Sequence, residues 1–352
     1  MCTGSILTDR RTLLLDLAAK SRNWALPPEG EARVRKAAFP GWDVIAVATP
    51  TNSDGDGSDG GSDEAIRMIA GAEVYFGFGF TSDLLRAAGK LRWMHTAAAG
   101  VGNVLNSGIA ASDIRITNSA GIHGPPIAEF IVAGVLHFLR GLDVAIAQQR
   151  RGEWDKSFFV GVDSPLRELA DCRVLVVGTG GLGGEAARRL SALGARCVGI
   201  RRRPELGPPA GFAAVAGPSG LEDELTRADI LILAAPLTSE TSELMTRSRL
   251  SRLPRGAIVV NVARGALLDE VAVADLLSSG QLRGAVLDVF RQEPLDASSP
   301  LWQLPNALVV PHVSPVSPGR FWPRQLDLFL DNWRRYVHGE PLRNLVDTQA
   351  GY

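Results

Sequence analysis

The sequence predicts an α/β protein built of two doubly wound parallel sheets, and three observations carry that prediction. Short apolar runs alternate with helical patterns over residues 1 to about 120, as in a parallel sheet covered by helices. A second, longer series of strands starts at Arg173. Its first strand runs into a glycine-rich turn and then a helix, in CRVLVVGTGGLGGEAARRL at residues 172–190.

The bulk properties fit that architecture. With 352 residues the chain has room for two domains and ample core. It is 45% hydrophobic and 21% charged, and its formal net charge of −1 gives no electrostatic case for nucleic acid or an anionic membrane. Cys2, Cys172 and Cys197 are odd in number and scattered. They form neither a disulfide framework nor a metal-ligand spacing, so no metal is expected and a reducing compartment suits them. No apolar stretch is long enough to span a membrane, and the N-terminal patch, cut by Asp16, reads as a first strand or helix rather than a signal peptide. The expected location is cytoplasmic.

In chain order, the first series places strands at 43–48, 73–76, 91–96 and 114–117. Residues 49–63, TPTNSDGDGSDGGSD, lack apolar periodicity and read as a mobile surface loop. Gly124, Pro125 and Pro126 open a long apolar helix that continues to residue 150; a helix of this kind bridges domains or buries itself against a second subunit. The second series places six strands at 173–177, 196–200, 229–233, 257–262, 284–288 and 307–310. Residues 321–336 return to helical spacing, and their Trp322, Phe329 and Trp333 read as core.

The glycine turn has the form G-x-G-x-x-G, with Gly178, Gly180 and Gly183 around Thr179, Gly181 and Leu182. That pattern between strand and helix is a dinucleotide fingerprint: a tight turn, close backbone approach to a pyrophosphate, and a helix N-terminus aimed at it. The next strand decides which dinucleotide. An acidic residue at its end accepts hydrogen bonds from the adenine ribose, whereas arginine suits a 2′-phosphate. Here Arg201, Arg202 and Arg203 stand at that end, so NADP(H) is favoured and NAD(H) remains possible.

Four segments together resemble the D-isomer-specific 2-hydroxyacid dehydrogenases: VVGTGGLGG, VNVARGALLDEVAVADLL (260–277), GAVLDVFRQEPL (284–295) and VVPHVSP (309–315). AAAGVGNV (97–104), ITNSAGIHGPPIAEF (116–130), APLTSETSELM (235–245) and the tail at 339–352 are similar to that family too. The resemblance implies a Rossmann cofactor domain at 123–317, inserted into a flavodoxin-like substrate-binding lid domain of residues 1–122 and 318–352. It implies hydride transfer between NAD(P)H and a small 2-oxo or D-2-hydroxy acid of glyoxylate or hydroxypyruvate type, and a homodimer through the 123–150 helix.

Carried over residue by residue, the family's arginine falls on Arg264, its glutamate on Glu293 and its histidine on His312. Reduction of a 2-oxo acid needs a cation for carboxylate and carbonyl, and a proton donor for the carbonyl oxygen. Arg264 supplies a planar charged fork. Imidazole exchanges a proton near neutrality, which suits His312 as acid/base. Glu293 beside it would stabilise the imidazolium and fix its orientation. The resemblance also assigns the backbone N–H groups of Ala99, Gly100 and Val101 to the substrate carboxylate. On the cofactor side it assigns Ala235, Pro236 and Thr241 to the adenine and phosphates, and Val262, Ala263, Asp288 and Ser314 to the nicotinamide, beside Arg264 and His312. His95, just before the substrate loop, reads first as structural, with substrate contact as the alternative; His123, His137 and His338 read as structural.

Some features depart from the family or separate it from its neighbours. Arg201 replaces the acidic residue, and the proline after Ser314 stiffens the loop following His312. Formate dehydrogenases pair their histidine with glutamine, so Glu293 argues against them. No regulatory domain like that of long phosphoglycerate dehydrogenases is expected. Co-repressors that resemble the family keep the arginine, glutamate and histidine, so a non-enzymatic dinucleotide-sensing protein is the alternative function.

Overall fold

Twelve strands in two all-parallel sheets organise the described residues, 10–52, 61–349 and 351, of the computed structural model. The chain divides into two units, Met1–Ile122 with Ser317–Tyr352, and His123–Val316. Cys2 and most of the 49–63 loop lie outside the described residues.

The first unit holds β1 (Arg11–Asp16), β2 (Trp42–Ala46), β3 (Val74–Gly77), β4 (Trp93–Thr96) and β5 (Arg115–Thr117), in the order β2-β1-β3-β4-β5. This is the flavodoxin-like doubly wound order. Leu13, Leu14 and Leu15 of β1 are all at most 1% exposed, as expected of a central parallel strand covered on both faces. The patch that the sequence left open between strand and helix is therefore a strand. Its terminal Asp16 is buried against the Tyr75 hydroxyl, which donates to it at 2.7 Å. Helices Asp63–Ile69 and Ser82–Ala87 are capped by Ser62 and Thr81, whose hydroxyls accept from the amides of Ala65 and Leu84. The C-terminal helix Phe321–His338 buries Trp322, Phe329 and Trp333 as expected. Phe329 stacks on Phe76 at 4.1 Å and on Trp93 at 5.5 Å.

The second unit holds β6 (Arg173–Val177), β7 (Arg196–Ile200), β8 (Ala214–Ala216), β9 (Ile230–Leu233), β10 (Ala257–Asn261), β11 (Leu282–Leu287) and β12 (Ala307–Val309). Their order is β12-β11-β10-β9-β6-β7-β8, the dinucleotide-binding arrangement with one further strand, whose direction of winding reverses between β6 and β9. The sequence predicts six of these seven strands; the seventh, β8, is a three-residue edge strand with only partly buried side chains.

The 123–150 helix also needs correction, because it is two helices. Gly124–Leu139 buries Ile127, Ile131, Val135 and Phe138. Leu142–Arg151 buries nothing. They meet at a 68° bend, where Gly141 adopts a φ of 67° that ends an α-helix. Among the described residues no single helix is long and apolar enough to cross a membrane.

Candidate active site

The glycine loop connects β6 to helix Gly181–Ala192 at the point where the strand order reverses. Gly178 has a φ of 99°, and a Cβ there would lie 2.7 Å from the backbone of Ala234. A Cβ on Gly183 would run into the Gly178 carbonyl, whereas nothing lies within 4 Å of the Cβ direction at Gly180. Two glycines are thus demanded by packing and the third keeps the approach clear. With the helix N-terminus beside it, this loop fits a dinucleotide pyrophosphate. Thr179 packs its methyl against Gly199 on β7.

Beyond β7, the Arg201 amide donates to Ala216 of β8 and its guanidinium donates to the Gly207 carbonyl at 2.9 Å. Arg201 is half-buried, and Arg202 and Arg203 are exposed. After β9, Thr241 knits the 236–241 loop: its hydroxyl donates to the Pro236 carbonyl at 2.6 Å and accepts from the Thr238 amide at 2.8 Å.

Arg264, Glu293 and His312 follow β10, β11 and β12, three neighbouring parallel strands, so all three lie at the carboxyl edge of one sheet. The Nδ1 of His312 lies 2.8 Å from Oε2 of Glu293. The other oxygen, Oε1, accepts from the Phe290 amide at 2.9 Å, so the carboxylate is held at both ends. The His312 side chain is 40% exposed; with Nδ1 taken by Glu293, Nε2 is the nitrogen left for a reactant.

The turn that carries His312 is pinned as well. His312 has a φ of 51°, an uncommon conformation for a side-chain-bearing residue that surrounding structure must enforce. Asp288 enforces it. Its carbonyl accepts from the His312 amide at 2.9 Å, and its carboxylate accepts from the amides of Val313 at 2.8 Å and Ser314 at 3.1 Å, and from the Ser314 hydroxyl. Asp288 is 1% exposed, so this carboxylate organises the histidine loop whatever else it meets.

Arg264 is exposed, and its guanidinium donates to the Ala263 carbonyl at 2.7 Å. Buried Asn261 sets the backbone beneath it, donating to the Arg264 carbonyl at 3.1 Å and accepting from the Ala263 amide at 3.2 Å. No sequence motif points to Asn261; its one signal is that a polar residue ends the apolar strand AIVVN.

In the first unit, Ala99, Gly100 and Val101 follow β4. His95, on β4, is fully buried, with Nδ1 2.7 Å from the Thr117 hydroxyl and Nε2 3.3 Å from the Ser119 hydroxyl. Phe76, Trp93 and Phe329 surround the ring. Burial pushes its pKa down to about 3, so it is a neutral core residue and the substrate-contact alternative falls away.

A dinucleotide-type loop at the reversal of a parallel sheet, with an arginine and a Glu–His pair at the carboxyl edge of the same sheet, is the arrangement of a dinucleotide-dependent oxidoreductase. Known proteins narrow the class. The sequence profile of the D-isomer-specific 2-hydroxyacid dehydrogenase NAD-binding domain matches residues 132–314. Glycerate dehydrogenase of Methylorubrum extorquens is 31% identical over 294 residues, 81% of this chain and 89% of that protein. D-3-phosphoglycerate dehydrogenase of Methanocaldococcus jannaschii is 32% identical over 256 residues, 71% of this chain but only 47% of that longer protein. Among solved structures, a probable 2-hydroxyacid dehydrogenase from Rhizobium etli, in complex with NADP, superposes with a TM-score of 0.75 at 29% identity, covering 97% of this chain and 100% of that one. An NADPH-dependent glyoxylate/hydroxypyruvate reductase from Sinorhizobium meliloti, in complex with NADP, gives 0.76 at 28% identity with the same coverage. The chain belongs to the D-isomer-specific 2-hydroxyacid dehydrogenase family and is an NAD(P)-dependent oxidoreductase.

Proposed function

We propose that the protein is an NADPH-preferring reductase of small 2-oxo acids, of the glyoxylate or hydroxypyruvate kind, forming D-2-hydroxy acids. The observation that carries the chemistry is the His312–Glu293 pair at 2.8 Å, on the sheet edge that also bears Arg264. Bound nicotinamide supplies the hydride. His312, held by Glu293, gives its Nε2 proton to the substrate carbonyl oxygen as charge develops there. Arg264 polarises that carbonyl and neutralises the carboxylate. The backbone N–H groups of Ala99, Gly100 and Val101 are proposed as a further anchor for the carboxylate. Asp288, Ser314, Val262 and Ala263 are assigned to the nicotinamide side, and Ala235, Pro236 and Thr241 to the adenine and phosphate side.

The preference for NADPH rests on Arg201, Arg202 and Arg203 at the end of β7, where the dinucleotide fold would bring a guanidinium to a 2′-phosphate. NADP complexes of the two structural relatives support it. A homodimer is part of the same proposal. Helix Leu142–Arg151 buries none of its residues, and Leu142 and Ile146 on it, with Trp154 and Val160 beyond, are exposed apolar side chains of the kind that mark an interface. Free buried Cys172 and Cys197 suit a cytoplasmic location.

The test is the oxidation of NADPH and NADH, followed by absorbance, against a panel of 2-oxo acids. Turnover of glyoxylate or hydroxypyruvate with NADPH is expected, and no oxidation of either cofactor with any acid would contradict the reading. Arg201→Asp is expected to lower kcat/KM for NADPH by about 10–100-fold, the size of a lost charged hydrogen bond, while sparing NADH. Equal losses would remove the argument for NADPH.

A further inference from the structure

We infer that Asn118 and Asn344 form a clasp that, with Ser119, aims the backbone amides of Ala99 and Gly100, which makes both asparagines positioning residues for substrate. The inference rests on the proposal that those amides receive the carboxylate. β4 and β5 are adjacent in the first sheet, and the turns after them, at residues 96–101 and 117–122, are tied together carbonyl by carbonyl. The Ser119 hydroxyl donates to the Thr96 carbonyl at 2.7 Å, and the Ser119 amide donates to the Ala98 carbonyl at 3.0 Å. The Asn118 side-chain amide donates to the Ala99 carbonyl at 2.8 Å.

These bonds matter for binding because a peptide unit is rigid and trans. Fixing the carbonyl of Ala98 fixes the N–H of Ala99 in the opposite sense. Fixing the carbonyl of Ala99 does the same for the N–H of Gly100. Ser119 and Asn118 therefore set the directions of two consecutive donors. Gly100 is exposed and has no side chain to hold its own peptide in place, so the orientation comes from outside the loop.

Asn118 is in turn held from the C-terminal segment. Its amide donates to the Asn344 carbonyl at 3.2 Å, and the Asn344 side chain donates back to the carbonyls of Asn118 at 3.2 Å and Ala120 at 2.9 Å. One side-chain amide has two N–H groups, and both are used. Asn344 has a φ of 52°, a conformation asparagine tolerates better than most residues. The segment before it is anchored to the long helix through Asn332, which is fully buried, accepts from the Arg343 amide at 2.8 Å and donates to the Arg343 carbonyl at 3.0 Å. A residue 226 positions away along the chain from Asn118 thus controls the shape of the 99–101 turn.

The test uses the full-length enzyme with glyoxylate and NADPH, and two variants. Asn118→Asp keeps the acceptor for the Ala120 amide but loses the donor to Ala99. Asn344→Gly keeps a left-handed backbone but loses both side-chain donors. Each is expected to raise KM for glyoxylate about tenfold, the size of one misaimed hydrogen bond to a charged group, with kcat within about threefold and NADPH affinity unchanged. If Asn118→Asp fails to fold, Asn344→Gly carries the test, with NADPH binding as the check on its fold. Wild-type turnover with glyoxylate KM unchanged in the folded variants overturns the clasp and leaves the proposed function standing. Parallel loss of NADPH and glyoxylate affinity, which is what a merely structural role gives, also overturns it. A wild type that reduces no 2-oxo acid removes the functional reading beneath it.

Discussion

His95 and His312 each lie near the carboxyl end of a parallel strand, one in each sheet, and either position could host chemistry in a doubly wound fold. Their surroundings separate them. His95 is fully buried, both ring nitrogens meet hydroxyls, and its proton affinity has collapsed. His312 stands 40% exposed with one nitrogen on a carboxylate that is itself fixed by a backbone amide. A core imidazole is kept neutral by desolvation, while a reactive one is given a partner that tolerates its charge and an open second nitrogen. Position at a strand end does not by itself suit a histidine to proton transfer; the neighbours of its two nitrogens do.

The same substitution at both sites breaks or sharpens that contrast. His312→Gln removes the proposed proton donor and is expected to lower kcat for 2-oxo acid reduction by about 10²–10⁴-fold, with cofactor affinity and thermal stability close to wild type. Steady-state kinetics and cofactor titration check it, and retained kcat would place the acid elsewhere. His95→Gln is expected to leave kcat within about threefold and to change stability instead. Because the folded state holds His95 neutral down to about pH 3 while the unfolded chain protonates its histidines below about pH 6.5, the unfolded state binds more protons between those values. Stability therefore falls as pH drops through that window, by up to about 1.4 kcal/mol per pH unit from this residue. Buried Asp16, whose pKa is raised chiefly by desolvation, pulls the other way, since its stabilising proton is lost as pH rises. The difference in denaturation midpoints between wild type and His95→Gln isolates the histidine, and identical slopes in both proteins would refute its assignment.

The contrast also marks what was legible in the sequence. Glu293 and His312 were readable through the family resemblance of the segments around them, since taken singly each also fits an ordinary turn or loop residue, and the glycine loop through its fixed spacing between a strand and a helix. The buried state of His95 was not, since its partners Thr117, Ser119 and Phe329 come from distant parts of the chain. The four consecutive leucine and aspartate positions of LLLD in β1 carry no period that separates strand from helix, and only burial on both faces settled it. Ala214–Ala216 has too few apolar atoms to announce an edge strand. The break at Gly141 did have a signal, an isolated glycine in an apolar helical pattern, and the apolar run outweighed it. Asn344 had none: its meaning lies in three backbone bonds to a turn more than two hundred residues earlier.

The central claim is that the Glu293-held imidazole of His312 donates the proton in reduction and takes it back in oxidation. Steady-state rates of the wild-type enzyme, measured across pH in both directions with saturating cofactor, test it most directly. Reduction is expected to slow as pH rises, because His312 must begin protonated, and oxidation of the D-2-hydroxy acid is expected to quicken over the same range, because it must begin neutral. The same pH trend in both directions, or pH-independent rates in either, would contradict the account.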